Sequence, residues 1–283
     1  MIHKDPNKIL FVIVLYKCKL ESSITYNTLL KDNVTPYDVF VYDNSPQKNY
    51  TDIKVGKYIS DTSNGGLSIA YNTAAAYAKE NSYKWLMLLD QDTNFPEGAL
   101  GEYIDFMKIN NSIHLIAPQH CINDEWYISP TKYKNFKSHM QREVQTGIVD
   151  FKNARPINSG IMITTESFLR VGGYDNKIKL DFSDVRFFEK YAIYYQYFYV
   201  LPSIRCLQNY SGVELNKQKV LSRFEIYLSC AKAYPKKNVF VSLIFIYITF
   251  RRALELTKQY KTYKALFTYL SSYIINNKLW KTK

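Results

Sequence analysis

Residues 83–93 read YKWLMLLDQDT. The apolar run Trp85, Leu86, Met87, Leu88 and Leu89 has no polar interruption and stops at Asp90-Gln91-Asp92. A short run without alternation predicts a strand buried on both faces, the pattern of a parallel sheet. In open α/β sheets, ligands bind beyond the carboxyl ends of the strands. Two carboxylates one residue apart at that end can meet a divalent cation, which can in turn hold a diphosphate. The same tripeptide also serves as an acidic turn that closes a strand, so the surrounding chain has to decide between the two.

Working outward, residues 9–16 form an apolar run predicted to be the first strand. Lys4 and Lys8 before it faintly imitate a signal peptide, but Lys17 and Lys19 follow at once with no small-residue cleavage site, so that reading is rejected. A helix is expected over about residues 22–30. Residues 39–42 predict a second strand, closed by the turn residues Asp43-Asn44-Ser45-Pro46. Asp43 either accepts hydrogen bonds from a base or ribose, or closes an Asx turn. After a weak strand at 57–60, Asn64-Gly65-Gly66 opens an alanine-rich helix through Glu80, with Leu67, Ala70, Ala74 and Tyr77 at helical spacing. The spacing of these glycines is neither G-x-G-x-x-G nor a phosphate-binding Walker loop, which excludes a dinucleotide fold and a P-loop.

Beyond the D-x-D, a turn at 95–98 leads into a helix to about Lys108, and residues 114–117 predict a short strand stopped by Pro118. His114, His120 and Cys121 complete no paired metal motif and are expected in a surface loop. Residues 123–145 lack periodicity and are expected to be loops. Residues 155–184 read RPINSGIMITTESFLRVGGYDNKIKLDFSD. They predict a strand at 161–163, a short helix to Val171, a Gly172-Gly173-Tyr174-Asp175 turn, and a further helix after Asp181-Phe182-Ser183-Asp184. An acid at a helix start also caps it, which is the alternative role for Asp181 or Asp184.

The 283 residues include 26 Tyr and 16 Phe, a composition that predicts a packed globular chain. Four dispersed cysteines without C-x-x-C predict free thiols in a reducing compartment. Charge is uneven. From Lys217 onward 11 Lys and 3 Arg face only Glu225 and Glu255, so this segment holds the whole net charge of +12. Such a tail suits an acidic surface. Residues 239–250 are apolar all round but too short to span a bilayer, which needs about 20 residues. A second helix with Tyr263, Leu266, Phe267, Leu270 and Ile274 on one stripe, then Lys278-Leu279-Trp280-Lys281, reads as an interfacial anchor.

In order along residues 8–212, VIVLYK, VYDNS, NGGLSIAYNTA, LLDQDT, NSGIMI, GGYD and the acidic pair before a helix resemble a family-2 glycosyltransferase of the GT-A fold. The glutamine in DQD and the D-x-x-D of Asp181 and Asp184 are most similar to bacterial rhamnosyltransferases of O-antigen and capsule synthesis. The resemblance implies an α/β mixed sheet with flanking helices over residues 1–215 and a basic helical tail over 216–283. It implies an inverting transfer from a nucleotide-diphosphate sugar, such as dTDP-rhamnose, to a lipid-linked oligosaccharide at the cytoplasmic face of the cell membrane, with Mg2+ or Mn2+ and without nucleic acid. The donor would meet Tyr16, Asn64, Gly65, Gly66 and Gln91, with Asp43 at the base and Asp90 at the ribose. Asp92 would bind the metal, and Gln208 stands where relatives carry a metal-binding His. Asp181, or else Asp184, would be the general base. Asn158, Ser159, Gly160, Gly173 and Tyr174 would shape the sugar and acceptor pocket, and residues 238–283 would meet anionic membrane. A nucleotidyltransferase would instead carry a glycine-rich loop after the first strand, where Tyr16-Lys17-Cys18-Lys19 has none. A non-catalytic membrane- or nucleic-acid-binding protein would leave the carboxylates of the neutral body unexplained.

Overall fold

The structure, a computed structural model, describes residues 8–49, 51–110, 112–122, 125–134, 136–208 and 216–275. Two compact units result: Met1–Tyr174 with Phe187–Tyr210, and Asp175–Arg186 with Ser211–Lys283.

The first unit is built on a mixed sheet. Its strands are β1 (Ile9–Leu15), β2 (Val39–Asp43), β3 (Lys57–Ser60), β4 (Trp85–Asp90), β5 (Thr93–Asn94), β6 (Leu115–Ile122), β7 (Trp126–Ser129), β10 (Gly147–Asp150), β11 (Ile161–Thr164) and β12 (Tyr197–Gln208), in the order β10-β12-β6-β11-β4-β1-β2-β3. Strand β5 pairs with β12 and β7 with β6, while β8 (Tyr133–Lys134) and β9 (Lys137–Ser138) form a separate small hairpin. Strands β4, β1, β2 and β3 run parallel, and β11 enters antiparallel between β4 and β6.

β4 therefore lies deep in the sheet, as its apolar run requires. Leu86 and Leu88 join the core under helix α1 (Leu67–Glu80), while Trp85, Met87 and Leu89 join the core under helix α2 (Ala99–Ile109). Burying each such side chain is worth about 1.5–3 kcal/mol. Ala70, Ala74, Ala75 and Ala78 let α1 lie close to the sheet, and its inward face also takes in Tyr71. Helix α3 (Thr165–Arg170) is capped by the Thr164 hydroxyl, which accepts from the Ser167 N–H. Helix α4 (Ser183–Tyr194) starts between the two acids, earlier than the start expected after Asp184, so Asp181 precedes it and Asp184 stands in its first turn.

Several expectations need correction. Pro118 does not stop its strand: β6 runs on to Ile122, because the ladder with β12 is irregular between Val200 and Arg205, opposite the proline that has no N–H to give. His120 and Cys121 accordingly sit fully buried on β6, not in a surface loop. Part of 123–145 pairs as β7, β8 and β9. The helix expected over 22–30 is reduced to a 3₁₀ turn at Leu20–Ser22 and a π-helical turn at Tyr26–Leu30. All four cysteines are free, as expected.

In the second unit, Asn216 caps α5 (Lys217–Ala233) and Asn238 caps α6 (Val239–Tyr260). Helix α7 (Lys264–Thr268) continues into a π-helical turn at Tyr269–Ile275. Phe245, Thr249, Ala253 and Leu256 face inward on α6, and Ala265, Tyr269 and Tyr273 on the last helical segment. Of the apolar stripe on that segment, Tyr263, Phe267 and Leu270 face outward, Tyr263 82% exposed and Phe267 72%, while Leu266 is half-buried. No described helix is long and apolar enough to cross a membrane. Lys278-Leu279-Trp280-Lys281 lies outside the described residues.

Gly160 is the tightest backbone position next to β4. Its φ is +77°, and a Cβ there would stand 2.7 Å from Pro118 and 3.1 Å from Phe95. Left-handed strain of about 1–2 kcal/mol and overpacking of about 1–3 kcal/mol add. Gly160→Ala is expected to lower unfolding free energy by about 2–5 kcal/mol in a urea titration; a loss below about 0.5 kcal/mol would contradict this packing.

Candidate functional site

The carboxyl ends of β1, β2 and β4 meet at one edge of the sheet, with Leu15 in register with Asp43 and Val14 with Asp90. The turn after β4 is stapled from outside. The Thr25 hydroxyl lies 2.5 Å from the Asp90 carbonyl and 3.0 Å from the Thr93 carbonyl, and it accepts from the Thr93 N–H at 3.0 Å. Ser23 donates to the Gln91 carbonyl at 2.8 Å. From the other side, the Ser159 hydroxyl is 2.7 Å from that of Thr93 and accepts from the Asp90 N–H at 3.3 Å. Tyr71 on α1 donates to the Asp90 carboxylate at 3.2 Å. The backbone groups of Asp90 and Thr93 and the Gln91 carbonyl are thus committed, while Asp92 is exposed.

Gln91 is spent on the scaffold. Its Oε1 accepts from the Tyr16 N–H at 2.8 Å and its Nε2 donates to the Tyr16 carbonyl at 3.3 Å. This clamp joins the ends of β1 and β4 and leaves the Tyr16 ring 43% exposed beside the turn. Asp43 is also spent. Fully buried, it accepts from the Ser45 N–H at 2.9 Å, the Asn49 N–H at 3.1 Å and the Tyr58 hydroxyl at 2.7 Å. The Asx turn is therefore realised, and Asp43 shapes the loop after β2. Asn44 reaches back to accept from the Gly66 N–H at 3.2 Å, at the start of α1.

Asp61 organises the Asn64-Gly65-Gly66 turn. It accepts from the N–H groups of Ser63 (3.0 Å) and Gly65 (2.7 Å) and from the Tyr42 hydroxyl (3.0 Å). Burial raises its carboxyl, but these hydrogen bonds, with one more from the Ser63 hydroxyl, outweigh burial and hold Asp61 below the usual carboxylate range. Cys18, near the same edge, is pushed up by burial and by the carboxylates of Asp92, Asp43 and Glu21.

The residues expected to shape a sugar and acceptor pocket lie beside Asp90, where Ser159 bonds its N–H. Asn72 on α1 accepts from the Tyr174 N–H at 2.8 Å and donates to its carbonyl at 2.9 Å. Tyr174 turns inward, donates to Asn158 at 2.6 Å and stacks on Phe187 at 4.3 Å. Gly173, at φ +57°, admits Asn72, whose Oδ1 would be 2.3 Å from a Cβ there. His120 holds Ser159: its Nε2–H donates to the Ser159 carbonyl at 2.8 Å, and its Nδ1 has no partner among the described residues.

The donor set suits a hard divalent cation. Asp90 and Asp92 bracket the stapled turn, and β5 pairs with β12 so that Gln208 lies opposite Thr93. Two carboxylates and an amide oxygen leave positions open for phosphate oxygens and water, which is how such cations are held beside diphosphates. Among the described residues no three His, Cys, Asp or Glu side chains gather into a protein-only cage. A separate cavity of about 230 Å3 lies at the opposite end of β4, lined by Tyr83, Lys84, Trp85, His114, Thr165 and Glu166, far from this chemistry.

Asp181 and Asp184 belong to the second unit. Asp181 is gripped by both terminal nitrogens of Arg223, one of them at 2.8 Å. Asp184 accepts from the Val185 N–H at 2.7 Å. The residues that sequence reasoning does not find are Ser23, Thr25, Asn44, Asp61, Tyr71 and Asn72. Ser23 and Thr25 stand in a stretch, SSITYNTLL over residues 22–30, that is rich in hydroxyls throughout, so nothing local singles them out.

The profile of glycosyl transferase family 2 matches residues 11–172, more than half of the chain and the whole of the stapled edge. The chain belongs to glycosyl transferase family 2. It is 27% identical over 203 residues to the dTDP-rhamnosyl transferase RfbF of Shigella flexneri, covering 69% of this chain and 66% of that protein, just under two thirds of its length. The fold is that of GT-A glycosyltransferases. GalNAc-T7, solved with UDP, GalNAc and Mn2+, superposes with a TM-score of 0.53 at 13% identity, over 96% of this chain and 59% of that one. The mannosyltransferase PcManGT of Pyrobaculum calidifontis, in complex with GDP-Man and Mn2+, gives 0.51 at 12% identity, over 95% and 77%.

Burial lowers the pKa of His120 from 6.5 to about 4, although its bond to Ser159 opposes the shift. The neutral ring therefore stabilises the fold above pH 6.5, and that contribution is lost as pH falls towards 4. Between pH 7 and 4.5 this group alone is expected to remove about 2–3 kcal/mol. Urea unfolding of wild type and His120→Gln at both pH values checks it, because the variant should lose that much less stability on acidification.

Proposed function

We propose that this family-2 glycosyltransferase moves a sugar, best supported as rhamnose from dTDP-rhamnose, with inversion onto a hydroxyl of a lipid-linked glycan in surface-polysaccharide synthesis. The stapled D-x-D turn at the carboxyl end of β4 carries the reading, and the likeness to RfbF supports the choice of donor. Tyr16 offers an exposed ring to the base, and the Asn64-Gly65-Gly66 turn, held by Asp61 and Asn44, closes the same edge. Asp43 acts through the loop it holds, and Gln91 through Tyr16. Asp90 meets the ribose or metal side of the nucleotide while Tyr71 and Ser159 fix its position. Asp92, with Gln208, would hold Mg2+ or Mn2+. When bound, the cation supplies a charge that offsets the negative charge growing on the leaving diphosphate oxygen.

The acceptor hydroxyl attacks the anomeric carbon opposite the leaving nucleoside diphosphate, and a carboxylate takes its proton, worth typically 10²–10⁴-fold in rate. We assign that role to Asp184. Asp181, the first choice from the sequence, has both oxygens engaged by Arg223, and accepting a proton would break a two-pronged charged pair.

We also propose that the second unit lies on anionic membrane through the outward apolar residues Val239, Phe240, Leu243 and Tyr247 of α6 with Tyr263 and Phe267, among the surplus lysines and arginines. Helices with this arrangement lie in the interface plane.

Two measurements test the reading. Melting curves with UDP, dTDP, GDP or ADP, each with and without Mn2+, are expected to show metal-dependent stabilisation by dTDP. A ligand at 100 times its dissociation constant adds about 2.7 kcal/mol. Asp92→Asn should abolish the metal-dependent part. A shift with UDP alone would remove rhamnose, and no shift with any nucleotide would remove the donor site. For the membrane, Phe240→Ser, Leu243→Ser and Phe267→Ser combined should abolish co-sedimentation with phosphatidylglycerol vesicles at unchanged melting temperature; undiminished binding would refute this surface.

A further inference from the structure

Asp181 and the first turn of α4, which carries Asp184, belong to the same compact unit as the C-terminal helices, held there by an ion pair and an aromatic cluster. Arg223 of α5 grips Asp181 through both oxygens. Between the two acids, Phe182 adopts φ +65°, a left-handed conformation that a bulky residue keeps only when its surroundings impose it. Those surroundings are aromatic: the Phe182 ring packs on Tyr227 of α5 and Phe245 of α6, each with ring centres 5.2 Å away, and on Tyr234 at 6.3 Å. Tyr234 and Phe245 in turn stack on each other at 4.9 Å.

A cap alone needs none of this. An acid at a helix start is satisfied by backbone N–H groups, and a glycine at 182 would reach the same φ without strain. Strain of this kind collects where geometry matters to function. A bidentate arginine adds directional rigidity that a lysine does not supply.

We infer that Arg223 is a positioning residue: with the Phe182 clamp it fixes the 181–184 backbone so that Asp184, three residues on, is held in one orientation for proton removal. This rests on the assignment of Asp184 as the base.

The experiment compares wild type, Arg223→Ala, Arg223→Lys, Asp181→Asn, Asp184→Asn and the Arg223→Ala/Asp181→Asn double variant. It reads dTDP release from dTDP-rhamnose with Mn2+ and a membrane fraction as acceptor, alongside amide hydrogen exchange over residues 175–186. Arg223→Ala and Asp181→Asn are each expected to lower kcat on the order of 10²-fold with donor KM and melting temperature unchanged. The double variant should be no worse than either single one, since both remove the same strut. Arg223→Lys should recover only part of the rate. Exchange across the loop should quicken in Arg223→Ala. Additive losses, a donor KM that rises instead of kcat falling, or unchanged loop exchange would overturn the positioning role. If Asp184→Asn keeps full activity, the base assignment fails, and unchanged exchange in Arg223→Ala would separately sink the strut. If the wild type releases no dTDP, the donor reading fails, and the exchange measurement still decides the role of Arg223.

Discussion

The site depends on one small polar junction, the Thr25 hydroxyl set among the backbone groups of Asp90 and Thr93. A turn at the end of a strand buried on both faces carries polar backbone groups, and each left buried and unpaired would cost about 1–3 kcal/mol. Thr25 and Ser23 on one side and Ser159 on the other satisfy them with short hydroxyls. The turn can then project Asp92 outward without a backbone penalty. His120 and Tyr71 extend the junction into the core and onto α1. The fold around β4 and the chemistry at its end are held by the same hydrogen bonds.

Much of this fold could be read from the sequence because β4, β1 and β2 are written as apolar runs that end in turn chemistry. Strand β3 and helix α1 matched for the same reason: an amphipathic or small-residue face leaves a period that local sequence displays. What could not be read were elements defined by distant partners. Strand β6 passes Pro118 because its neighbour relaxes register there, a fact about Val200 and Arg205 more than 80 residues away. His120 looked like a loop residue because histidine is polar, yet its burial is set by the two strands that flank it.

The candidate site divides in the same way. Asp90, Asp92 and the Asn64-Gly65-Gly66 turn announce themselves by spacing and residue type. Asp43, Gln91 and Tyr174 are at the expected places but use their polar groups on the scaffold, which sequence cannot distinguish from holding a ligand. Thr25, Asn72 and Arg223 act across 65, 102 and 42 residues of chain. Nothing local marks them, since a threonine, an asparagine or an arginine on a helix is ordinary in composition.

The antiparallel entry of β11 beside β4 has a consequence for biosynthesis. When β4 leaves the ribosome, β1 is ready to pair with one of its edges, but the other edge waits for β11, about 70 residues further along the chain. At about 5–20 residues per second that interval lasts roughly 4–14 s. During it, a strand buried on both faces in the finished fold presents an unpaired edge, the kind that recruits other chains. The nascent domain therefore passes through a window in which this edge is open to association with other chains, whatever the stability of the finished fold.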